Sequence, residues 1–155
     1  METSYQENYI KQLQRLINSL YKNEKQYIKA SHQIENEEMK NTFRHTAEHR
    51  SSLITELEDA IRKLGGEVNT DSHHVSDLHQ GDNTSADIKK EQAVLESLRK
   101  SEQDTLDTYD DVLQGTILEE FNLKTLIMSQ RLAISDSFTE LDRRYFDMFK
   151  LKQPY

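Results

Sequence analysis

No glycine or proline interrupts the chain from Met1 to Leu64, a stretch long enough for two full helices and closed by Gly65-Gly66. Apolar residues recur through it at helical spacing. One thread runs Leu13, Ile17, Leu20, Glu24, Tyr27, Ser31, Ile34, stepping 4, 3, 4, 3, 4, 3, the seam spacing of a helix packed in a bundle. A second runs Met39, Phe43, Thr46, Arg50, Leu53, Leu57, Ala60, Leu64. With four Gly and a single Pro in 155 residues, the chain reads as one all-α domain with a sizeable core.

Four helices are expected, over about 4–35, 37–64, 86–114 and 116–149. Ser4 with Glu7 suits a capping box for the first, and Asn36 suits the cap of the second, ahead of Glu37 and Glu38. Lys63 and Gly65-Gly66 end the second helix. The third carries Ile88, Leu95, Leu98, Glu102, Thr105, Tyr109 and Val112 to Gly115, and the fourth follows at once from Thr116 with Phe121, Ile127, Ile134, Phe138, Leu141, Tyr145 and Met148. Residues 65–85, rich in Gly, Asn, Asp, Ser, Thr and His, read as a long connection with one short helical turn near Val75 to Leu78. The tail from Lys150 to Tyr155 is expected to fray.

Short turns near Asn36 and Gly115 make two antiparallel hairpins. The long connection reaches up to about 70 Å if extended, more than the roughly 42 Å of a helix of 28 residues, so the second and third helices are free to run parallel. The expected architecture is therefore a ferritin-like four-helix bundle, two antiparallel helix hairpins joined by a long crossover. An internal repeat supports two related halves. Adding 78 pairs Leu16 with Val94, Ile17 with Leu95, Ser19 with Ser97, Leu20 with Leu98, Lys22 with Lys100, Glu24 with Glu102, Ile28 with Leu106, Met39 with Ile117 and Phe43 with Phe121.

Glu24 and Glu102 both fall on apolar threads. A buried carboxylate must meet a metal, a cation or a proton. Counted from the turns, Glu24, Arg50, Glu102 and either Gln130 or Arg131 lie at one level, with Tyr27 and Tyr109 beside them. One reading is a buried Glu/Arg layer with no metal and no cofactor. A second is a di-iron or di-manganese site built from Glu24, Glu48, Glu102 and His45 or His49. Such a site needs a Glu-x-x-His motif on two helices; Glu48 is followed three residues later by Ser51, and the fourth helix has no His. A third reading, threads drawn one position off, leaves these side chains in solvent. His45 with His49 and the group His73, His74, His79 read as solvated rather than as surface metal sites.

A net charge of −8 argues against nucleic acid, no apolar run approaches a membrane span, and the polar start is no signal peptide, so a cytoplasmic protein is expected. No Cys is present, and no Ser/His/Asp group, phosphate-binding Gly loop or zincin motif supports an ordinary enzyme class. Tyr145, Phe146 and Phe149 at the end of the fourth helix either cover the bundle's end or form a homodimer patch.

Phe43, Arg50, Glu56-Leu57 and Arg62 to Gly66, then Val75 to His79, then Leu95 to Glu102 with Tyr109, resemble the bacterial ferritin-like family known as domain of unknown function 2383. The resemblance spans roughly Leu13 to Leu141 and implies a ferritin-like bundle with no established substrate or cofactor. A stress-associated ferritin-like family shares the Leu-Gly ending of the second helix, but its metal-ligand histidine falls at Leu53 here. The expected function is a non-enzymatic interaction or stress-associated module; the alternative is an oxidase or peroxide-detoxifying di-metal protein.

Overall fold

The computed structural model describes residues 2–69, 88–115 and 119–150, and the side chains of 5–69, 90–115 and 119–147. The expected short turn at Val75 to Leu78, the cluster His73, His74, His79, most of the long connection and the tail from 151 onwards lie outside the described residues. Four helices form: α1 Glu2–Gln33, α2 Glu37–Lys63, α3 Ile88–Leu113 and α4 Phe121–Lys150. Among the described residues there is no strand.

The helix ends follow their chemistry. Asn36 caps α2, its Oδ1 accepting from the Met39 backbone N–H at 3.0 Å. At the far end Gly65 adopts φ +83°, donates to the Arg62 carbonyl and hands the chain to Gly66, which donates to the Ile61 carbonyl. These two bonds satisfy carbonyls the helix would otherwise leave open, with glycine in the one backbone region that favours it. Two expected boundaries are corrected. α1 begins at Glu2, so Ser4 lies inside the helix rather than at its cap. α4 begins at Phe121 rather than at Thr116: the Glu120 carboxylate accepts from the Leu123 N–H and caps the helix there.

Cross-helix bonds give the directions. On α1 and α3, Arg15 meets Asp111 and Asn23 meets Ser101, so the two run antiparallel. α1 is antiparallel to α2 through Asn23 and Arg50, and α4 is antiparallel to α3 through Gln130 with Tyr109 and Arg99 with Asp142. Neighbouring faces are α1 with α2, α1 with α3 and α3 with α4, while α2 and α4 meet along a thin seam. α2 and α3 are therefore diagonal and parallel, and the chain is an up-down-down-up four-helix bundle.

Its apolar core is divided. One cluster holds Leu13, Leu16, Leu20, Leu57, Ile61, Val112 and Ile127; the other holds Tyr27, Ile34, Phe43, Leu95, Leu98 and Leu141. Phe121, expected on the inner thread of α4, is 76% exposed, because the inward positions of that helix are Leu123, Ile127, Gln130, Ile134 and Leu141. The pairing of Phe43 with Phe121 fails for the same reason. Relative to α1 and α2, α3 runs two residues further and the second turn is four residues longer, so the correspondence on α4 moves by six and matches Phe43 with Ile127 instead.

Candidate functional site

Between the two apolar clusters lies a dry polar group centred on Arg50, which is fully buried in the middle of α2. A guanidinium has five donors and no acceptor, so a buried one must be surrounded by oxygens or bare nitrogens. Here Nε donates to Asn23 Oδ1 at 2.7 Å. Nη2 donates to both oxygens of Glu102, also fully buried, at 3.1 and 3.0 Å. Nη1 donates to His49 Nδ1 at 2.7 Å. Since Arg50 only donates, His49 is the neutral tautomer carrying its proton on Nε2. Burial and the neighbouring guanidinium both hold the imidazole pKa below its ordinary value, with Glu56 opposing them weakly.

The network continues through Asn23, whose Nδ2 donates to Ser101 Oγ at 3.0 Å. Tyr27 closes the layer against the second cluster, with the Arg50 guanidinium carbon 5.9 Å from its ring centroid. Burial, reinforced by the Glu102 charge, raises the Tyr27 hydroxyl well above its ordinary pKa, so it stays protonated. A second buried group lies toward α4. Tyr109 donates to Gln130 Oε1 at 2.7 Å, and Gln130 Nε2 donates to the Leu53 carbonyl at 3.1 Å and to Glu56 at 3.2 Å. Burial likewise raises the Tyr109 pKa.

The structure thus gathers Arg50, Glu102, Tyr27, Tyr109 and Gln130, and separates the rest. Glu24 is only half-buried and makes no bond to Arg50; Asn23 takes that place. The Glu24 Oε2 atom is buried without a partner, and burial raises its carboxyl pKa against the pull of Lys25. Arg131 faces outward and pairs with Asp110, so Gln130 is the inward residue of the two. The residues of the di-metal reading do not converge. His45 and Glu48 face each other on an exposed surface, while His49 and Glu102 are both bonded to Arg50. Among the described residues no three His, Asp or Glu side chains group as metal ligands.

Asn23 and Ser101 were missed by the threads drawn on the sequence. The signal existed: Leu13, Leu16, Leu20, Asn23, Tyr27, Ala30, Ile34 steps 3, 4, 3, 4, 3, 4 and shares four residues with the thread through Glu24. Both threads are buried apart from Glu24, because α1 packs against α2 and α3 at once and needs a wide apolar face.

The family described as Domain of unknown function (DUF2383) matches residues 8–115. The chain belongs to that family. The DUF2383 match runs through α1, α2 and α3, and so contains Asn23, His49, Arg50, Ser101 and Glu102, while Gln130 lies beyond it. Neither the curated proteins nor the solved structures return a match to this DUF2383 chain. No described helix is long and apolar enough to cross a membrane.

Proposed function

We propose that this DUF2383 protein is a non-enzymatic interaction module with a ferritin-like arrangement, in which a guanidinium occupies the core level where related bundles place metal. The up-down-down-up order supports the ferritin-like reading. Arg50 supports the absence of a di-metal centre: its charge repels cations, and it consumes the Glu102 carboxylate that a metal would need.

The observation that carries the interaction role is the outer face of α4. Phe121, Met128, Leu132 and Phe146 are all more than half exposed, at positions that share one helical seam. This is where the homodimer reading now rests. Tyr145 is partly withdrawn, its hydroxyl bonded to Glu96 at 2.8 Å and its ring covered by Arg99 at 4.5 Å. The side chain of Phe149 lies outside the described residues. The occupant we assign to the seam is a second copy of this chain.

Sedimentation velocity over a wide concentration range tests the assignment. The wild-type chain should show a concentration-dependent dimer, and Met128→Lys/Leu132→Lys should be monomeric with an unchanged helical spectrum. A wild-type chain that stays monomeric at the highest concentration refutes the homodimer. Metal analysis of protein purified without chelator tests the other half: about two Fe or Mn per chain, lost in Glu102→Ala, would restore the di-metal alternative.

A further inference from the structure

We propose that the groove between α1 and α3 binds a small anion carrying two adjacent phosphoryl groups, of the pyrophosphate or nucleoside diphosphate class. The groove encloses about 420 Å³ and is lined by Lys22 and Lys25 from α1 and Lys100 from α3. Lys22 and Lys100 are in no ion pair with another described side chain, while Lys25 is close enough to the Glu24 carboxylate to pull on it, in a chain that carries eight more acidic than basic residues. Only one carboxylate, Asp104, lines the same space.

The remaining lining is rich in uncommitted donors. Ser97 and Gln26 make no side-chain hydrogen bond to other described residues. Ser101, which lines the groove, accepts from Asn23, so its own hydroxyl proton is not used in that bond. A concave site with two unpaired ammoniums, a third shared with Glu24, and several N–H and O–H donors suits phosphoryl oxygens, which take many hydrogen bonds and concentrate charge.

The repeat explains why two groups rather than one. Lys22 with Lys100 and Ser19 with Ser97 are the same repeat positions, and all four line this one groove. The Asn23 to Ser101 bond joins another such pair across the seam, so it marks the local two-fold relation between the halves. Each half offers one lysine and one serine, with the Ser19 hydroxyl reaching Thr108 Oγ1 at a long 3.5 Å that a ligand would replace, a donor set suited to a ligand with two like ends. The floor of the groove is also the upper edge of the Arg50 network, through Asn23.

Titration calorimetry of the full chain at low ionic strength, with sodium pyrophosphate as ligand, tests the site. One pyrophosphate should bind per chain, at least about tenfold more tightly than inorganic phosphate. Lys22→Ala/Lys100→Ala should weaken it by about tenfold or more, and Asp104→Asn should tighten it, both with the unfolding midpoint kept near wild type. ADP binding as tightly as pyrophosphate or better would point to the nucleoside diphosphate, and weaker binding to the inorganic form. No heat with the wild-type chain, or equal affinity in the double lysine variant, would overturn the proposal.

Discussion

Glu24 in the first hairpin and Glu102 in the second are equivalent by the repeat, yet they meet opposite fates. Glu102 is completely dry and accepts two bonds from Arg50; Glu24 is half-exposed and leaves one oxygen unpartnered. The difference follows from charge. A single buried guanidinium neutralises one carboxylate, and a second dry carboxylate would stand uncompensated at a cost of several kcal/mol. The first hairpin therefore supplies neutral Asn23 at the inner position, which accepts from Arg50 without adding charge. A repeated backbone has been filled by an unrepeated core.

The largest test of this contrast removes the cation. Arg50→Met should destabilise the chain by about 3–5 kcal/mol in urea unfolding, since Glu102 is left charged and dry. Arg50→Met/Glu102→Leu should recover most of that loss; equal losses in the single and double variants would mean that the two residues do not act as a pair. Gly66, past the open end of the first hairpin, and Gly115, in the turn of the second, should also differ. A Cβ on Gly66 would lie 2.7 Å from Ile10 Cδ1, and one on Gly115 meets nothing closer than a carbonyl at 3.5 Å. Gly66→Ala should cost about 1–3 kcal/mol from crowding, with Gly115→Ala well below it.

Smaller effects belong to titration. The His49 pKa is depressed in the folded state, so its neutral form contributes stability that is present above the ordinary value of 6.5 and is lost as pH falls through the folded value. Wild-type protein should lose more stability than His49→Gln when unfolding is compared at neutral and mildly acidic pH; parallel curves would dissociate His49 from the layer. Glu24 shows the opposite sense. Its folded pKa is raised above 4.5, so the native state favours the protonated form and ionisation at neutral pH weakens the fold. Glu24→Gln should raise the melting temperature by roughly 1–2 °C at pH 7 and leave it unchanged well below pH 4.5.

Much of this architecture is legible in the sequence because helices announce themselves by period and punctuation. Asn36, Lys63 and Gly65-Gly66 mark the ends of α2 to within a residue, and Arg50 and Glu102 stand out as charges on apolar threads. The same method misplaced Glu24 by one position. Two threads separated by one residue are equally regular on a helix with two buried flanks, and nothing local distinguishes them. The expected start of α4 at Thr116 is also too early, because the helix is capped by the Glu120 carboxylate reaching the Leu123 N–H, and glutamate is not among the residues that ordinarily signal a cap. The partner of a buried charge depends on a neighbouring helix, and no local pattern encodes that.

Ordered by their shared faces, the helices form a strip, α2, α1, α3, α4, rolled until its two outer edges touch. Those edges meet over a cleft of about 290 Å³ above Tyr27, Phe43 and Leu141, and Gln130 fastens them by reaching the Leu53 carbonyl and Glu56. The line of closure is the thinnest of the four helix contacts, so backbone amides along it are expected to exchange with solvent before those of the other three seams. An outward swing of α4 there would uncover the Tyr27 side of the charged layer while leaving the other three helices in contact.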